Sequence, residues 1–150
     1  MEAECLECLI GVTRVEVPVA AVERLVEYQA APAPPLAEPW LGGIGLDAAD
    51  QDALFLSISL SGLSGGRAPG VRGLLFRAGE GGLRWALEVD RVVGLRAIEG
   101  GTKPHPVRGW ACPSDWLLEA ADEEGEPVRL LDVSAALRDL AGAPALEPRA

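Results

Sequence analysis

One histidine, three cysteines and 13 basic residues against 23 acidic ones leave few chemistries open to this 150-residue chain. No apolar run approaches the ~20 residues that cross a bilayer. A formal charge of -10 repels nucleic acid and anionic lipid, whose capture depends on Lys and Arg neutralising phosphates. Basic protein partners stay open. The opening "MEAECLECLIG" carries acid where a secretion signal carries basic charge, and an odd cysteine count without framework spacing fits a reducing compartment. The expectation is a cytoplasmic protein with no membrane insertion. At this length, and 49% hydrophobic, the chain can bury a core without disulfide or cofactor.

What the sequence does have is period-two alternation, which places alternate side chains on opposite faces of a strand. In "RVEVPV" Val15, Val17 and Val19 share a face opposite Arg14, Glu16 and Pro18; in "LRWALEV" Leu83, Trp85, Leu87 and Val89 lie opposite Arg84, Ala86 and Glu88. In "LFLSISL" Leu54, Leu56, Ile58 and Leu60 lie opposite Phe55, Ser57 and Ser59. Shorter runs at Cys8 to Val12, Gly73 to Ala78, Val92 to Arg96 and Val128 to Leu131 extend the set, separated by Gly, Pro and acidic turns. Two segments read as helix: "AAVERLVEY", through Val22, Leu25 and Val26, and "DVSAALRDL", through Val133, Leu137 and Leu140 behind an Asp132 cap. "QAAPAPPLAEP" reads as an extended connection, "SGGRAPG" as a turn, and residues 142–150 as a frayed tail.

Candidate chemistry is thin. "WLGGIGLDAADQD" has glycines, but the Asp residues that follow repel the phosphate a glycine loop would cradle. The acidic runs "DAADQD" and "ADEEGE" do not fit a twelve-residue calcium loop and read as solvated loops. His105, between prolines, has no nucleophile in a recognisable elbow beside it. Cys5, Cys8, His105 and Cys112 supply four soft donors, which leaves a small metal-binding or redox-sensing β-domain as the alternative to ordinary buried thiols. If residues 5 to 8 form a strand, the two thiols point to opposite faces. Trp40, Leu41 and Ile44, apolar and bracketed by Gly and Pro, fit either a core or a partner surface.

The order of pieces resembles the CheW-like domain of bacterial chemosensory signalling. "GVTRVEVPVAAVERLVEY" is similar to that family's first hairpin and following segment. "PPLAEPWLGGIGL" is similar to its entry into G-x-x-N-L-R-G, with Gly42 and Leu46 matching. "LRWALEVDRVVGL" resembles G-L-x-V-D-x-V-x-x-[VI] through Leu87, Val89, Asp90 and Val92, and "EPVRLLDVSAAL" resembles L-L-D-x-x-x-L-L through Leu130, Leu131, Asp132 and Leu137. The resemblance implies an all-β fold over residues 5–141, two small five-stranded SH3-like barrels packed side by side, with a short C-terminal helix. It implies no active site, no cofactor and an adaptor role, coupling a chemoreceptor cytoplasmic tip to the regulatory domain of a CheA-like histidine kinase. It also places partner binding at Trp40, Leu41, Ile44, Leu46 and Asp47. Asp47 stands where the family has Arg, and that reversal turns attraction for a carboxylate into repulsion.

Overall fold

The structure, a computed structural model, describes residues 2–32, 37–47, 49, 53–63, 71–78 and 82–142. The alternating runs become strands β1 (Glu2–Ile10), β2 (Thr13–Pro18), β3 (Val22–Tyr28), β4 (Ala30–Pro32), β5 (Leu41–Asp47), β6 (Ala53–Ile58), β7 (Val71–Phe76), β8 (Trp85–Glu88), β9 (Arg91–Pro104), β10 (Leu117–Ala121) and β11 (Pro127–Leu131). One helix, α1 (Val133–Gly142), follows. Strands β1, β2, β11, β10 and β9 close a barrel, and the others form a sheet in the order β3-β7-β8-β6-β5-β4. This is the expected mostly-β architecture of two small units with a C-terminal helix; the sheet carries the three-residue β4 beyond the expected five strands. The barrel draws on both ends of the chain, and the sheet on its middle.

The helix expected over "AAVERLVEY" is instead strand β3, antiparallel to β7. A register shift between Val22 and Arg24 breaks strict alternation, so the apolar spacing mimics a helical face. β-Branched and aromatic residues favour the pleated surface that β7 offers. The C-terminal helix forms as expected: the Ala135 amide donates to Asp132 Oδ1 at 3.1 Å, and Ala135, Ala136 and Leu140 are buried. "SGGRAPG", the tail from residue 143, Asp50 to Asp52 and the centre of the proline-rich connection lie outside the described residues.

The main core lies between the two units. Leu56, Ile58, Leu74, Phe76, Trp85, Leu87 and Val89 from the sheet meet Cys8, Val15, Val17, Trp116, Leu117 and Leu131 from the barrel, with α1 closing one side. Phe76 stacks on Trp85 at 4.0 Å between centroids, and Trp40 meets Trp116 at 5.1 Å. The other face of the sheet holds a second cluster of Tyr28, Phe55, Val71, Leu75 and Ala86. Strands β6 and β8, expected to be half-buried, are therefore buried on both faces for most of their length. The polar residues among them are paired: Ser57 Oγ donates to Glu88 Oε2 at 2.8 Å and meets the Tyr28 hydroxyl at 2.7 Å.

The glycines of "GGIG" are explained by this inner packing. A Cβ on Gly45 would fall on the Phe55 ring, and one on Gly42 would meet the Glu88 carboxylate. The segment is a strand whose missing side chains make room for those of its neighbours. Two outcomes follow in denaturant unfolding: Leu87→Ala loses about 2–5 kcal/mol through the cavity it leaves, whereas Leu54→Ala, at an exposed position, stays within about 0.5 kcal/mol of wild type. Gly45→Ala behaves like a core variant, and equal stability of Gly45→Ala and wild type would refute this packing.

Candidate interaction surface

Strands β5 and β6 form a hairpin with Leu46 opposite Leu54 and Ile44 opposite Leu56. Pairing of β6 with β8 begins at Leu56 and Trp85, so Leu46 and Leu54 stand beyond the end of β8, on the face that elsewhere feeds the main core. Ile44, Leu46 and Leu54 are 37%, 53% and 64% exposed and form one apolar strip. Leu54, expected in the core with Leu56, Ile58 and Leu60, is on their face but past its cover. Monomers tolerate scattered surface leucines; a contiguous set on a rigid hairpin is the form a contact surface takes.

Of the residues the resemblance assigns to partner binding, the structure brings Ile44 and Leu46 to the surface. Trp40 and Leu41 lie in the main core, where the Trp40 carbonyl accepts the Ser59 amide at 2.8 Å. Asp47 is 3% exposed and ion-paired with Arg24 of β3 and, at 2.9 Å, with Arg84 just before β8. Its Oδ1 also accepts the Ala49 amide at 3.2 Å. The Arg24 hydrogen bond dominates and, with Arg84, outweighs burial to hold the carboxyl below the usual aspartate range. The acid at the position where the resembled family has arginine thus faces two arginines of its own chain. Arg24 is not legible as a partner for Asp47 from the sequence, because the spacing of Val22, Leu25 and Val26 suggests a helix where β3 forms.

Further apolar exposure lies at Leu25 on β3 and at Val93 and Leu95 on β9. Leu95 is opposite Leu6, which packs against the main core, so this patch adjoins the junction of the two units. Alternation read Leu95 only as a strand residue and did not distinguish it from the core.

The barrel interior holds charge as well as apolar groups. Cys5, Ile98, Ala120 and Val128 fill one part. Glu7, Arg14, Glu16, Arg96 and Asp122 fill another, linked by ion pairs of 2.6 to 3.3 Å. Glu16, expected on a polar face, is fully buried. Asp122, expected in a solvated acidic loop, is buried too and accepts the Glu124 and Glu126 amides at 2.9 Å. Alternation could not show this, because the polar face of β2 turns into the barrel.

The soft donors do not converge. Cys5 lies in the barrel interior and Cys8 in the main core, on opposite faces of β1. The His105 Nδ1 lies 4.0 Å from Glu119 Oε2. Among the described residues no three His, Cys, Asp or Glu side chains are grouped to hold a metal. Burial pushes Cys5 and Cys112 up to about 11 and Cys8 to about 12, which keeps all three thiols protonated at neutral pH. Cys5, Cys8, His105 and Cys112 thus do not gather into the metal site that the sequence left open.

Comparison with known proteins gives no matching family model and no matching curated protein. Among solved structures, the chain is similar to the scaffolding protein TtCheW from Thermoanaerobacter tengcongensis. The identity is 15%, the TM-score 0.63, and the match covers 89% of this chain and 86% of that one. The chain has the CheW fold. Among the described residues no helix is long and apolar enough to cross a membrane.

The Asp47 network supplies a stability test. Because the folded carboxyl titrates below its ordinary range, its contribution is present above that range and lost as pH falls through the folded value. Asp47→Asn should lose about 1–3 kcal/mol at neutral pH, and its gap to wild type should close in acid. Urea unfolding of both proteins across acid to neutral pH measures this; a gap independent of pH would detach the loss from the ion pair.

Proposed function

We propose that this chain is a non-enzymatic scaffold of the chemosensory type, a single unit over residues 5–141 acting in the cytoplasm. Its partners are the regulatory domain of a CheA-like histidine kinase and a chemoreceptor cytoplasmic tip, both held by surface contact. The reading is supported by the CheW fold, by the four motifs in chain order, and above all by the exposed pair Leu46 and Leu54 on the β5–β6 hairpin. Ile44 extends that pair, and Asp47 positions it by tying the end of β5 to β3 and β8. Trp40 and Leu41 serve from behind, as the packing that fixes the hairpin's origin. The face is apolar and carries no outward Arg at position 47, so the partner's contact at this point is apolar rather than a carboxylate.

Calorimetric titration against a CheA-like regulatory domain and a soluble receptor tip tests the proposal. The Leu46→Ser, Leu54→Ser double variant should lose at least about tenfold in affinity, about 1.4 kcal/mol, while its thermal midpoint stays near that of wild type. Wild-type protein that binds neither partner would sink the chemosensory reading. Binding that survives the double variant unchanged would move the contact to another surface, with Leu25, Val93 and Leu95 next to test.

A further inference from the structure

The charged cluster inside the barrel does not balance. Three carboxylates, Glu7, Glu16 and Asp122, share two guanidinium groups, Arg14 and Arg96. Asp122 is fully served as an anion, by the Glu124 and Glu126 amides on Oδ1 and by Arg14 and Arg96 on Oδ2 at 3.3 and 3.0 Å. Glu7 Oε1 takes Arg14 Nε at 2.6 Å and Arg96 at 3.2 Å. Glu16 is left with the same Arg14 Nε, at 2.8 Å on Oε2, while its buried Oε1 has no hydrogen-bond partner among the described residues. Glu7 and Glu16 also face each other directly across β1 and β2. A buried, half-served carboxylate beside a second carboxylate costs more as an anion than as an acid.

We propose that the barrel is a proton-responsive element: Glu16 carries a proton when the β1–β2 hairpin is docked on β9 and β11, and loss of that proton to solvent loosens the hairpin. The groups facing Glu16 are Glu7 and Cys5 from β1, Arg14 from β2, Arg96 from β9, Asp122 from the β10–β11 turn, and Leu130 level with it on β11. Burial raises its carboxyl and outweighs the lowering by Arg14. The link to the rest of the molecule is β2 itself, whose Val15 and Val17 enter the main core between the two units. Ionisation of Glu16 is therefore felt at the junction that adjoins the exposed Leu95.

The sign follows from the raised folded value. The stabilisation is complete below the ordinary glutamate range and is lost as pH rises toward the folded value. Asp47 and Asp122 are shifted the other way and lose their contributions only as pH falls into the acid range. For Asp122, burial raises the carboxyl, and the Glu126 and Glu124 amides with the two arginines more than reverse it.

The experiment is urea unfolding of the His105→Gln protein and of His105→Gln with Glu16→Gln, from about pH 5 to pH 8. The first removes the one histidine from the window. Its unfolding constant should rise with pH, toward about tenfold per unit where unfolding releases one proton, and level off once Glu16 ionises in the folded state as well; the Glu16→Gln protein should be flat over the window. A slope that survives Glu16→Gln overturns the assignment. If Glu16→Gln does not fold, carboxyl carbon-13 titration of the wild type decides: one glutamate titrating above all the others supports the proposal, and ordinary titration of every glutamate overturns it. Amide exchange at Val15 and Val17, corrected for intrinsic rates, should quicken as that carboxyl ionises; constant protection would overturn the coupling to the core.

Discussion

The apolar layer between barrel and sheet is the constraint on which the rest of the molecule depends. A small barrel and a small sheet each enclose too little to stand alone comfortably, and here each presents a second apolar face to the other. Trp85, Phe76 and Leu87 come from the sheet, Trp116 and Val17 from the barrel, and Trp40 joins them where the chain enters β5. Strands β6 and β8 are covered on both faces over most of their length. Leu46 and Leu54 stand just beyond that cover, on the side that elsewhere faces the core, which sets them apart from the exposed Leu25, Val93 and Leu95.

Each unit also carries charge in its interior. In the sheet, Asp47 joins strands distant in sequence through Arg24 and Arg84. In the barrel, Asp122 does the same for β2 and β9 through Arg14 and Arg96. Buried ion pairs contribute modestly to stability after desolvation, but they penalise any other arrangement of the strands they join. Asp47 therefore changes more than the sign of a surface. An arginine at that position would meet two others, so the basic residue of the resembled family fits here only if Arg24 and Arg84 change with it.

Much of this was legible in the sequence. Alternation located β2, β6, β8 and β11, the Asp132 cap located α1, and motifs in order pointed to the fold. It failed where period two is ambiguous about which face sees water. Glu16 looked solvent-facing because charge usually is, and the closure of the barrel, which depends on distant β9 and β11, decides otherwise. Val22, Leu25 and Val26 looked helical because a bulge disturbs the alternation. Leu54 looked buried because nothing in its own strand says where β8 stops. The glycines of "GGIG" were visible as a signal, but their cause, the Phe55 ring and the Glu88 carboxylate, belongs to strands read separately.

The interleaved path of the chain has a consequence for how it is made. Strands β1 and β2 leave the ribosome before the strands of the sheet, yet β2 finds its parallel partner β11 only when Arg129 and Leu130 have been synthesised. The whole sheet, from Val22 to Glu88, is complete in the meantime. Vectorial synthesis thus favours a nascent chain with a finished sheet whose barrel-facing side is bare, holding an unclosed hairpin beside it. Long-range closure of this kind is slow and exposes apolar surface while it waits. Truncation before β11 should leave a protein that seeks chaperones, because the segment that seals the barrel and the helix that follows it also supply Leu131, Ala135, Ala136 and Leu140 to the main core.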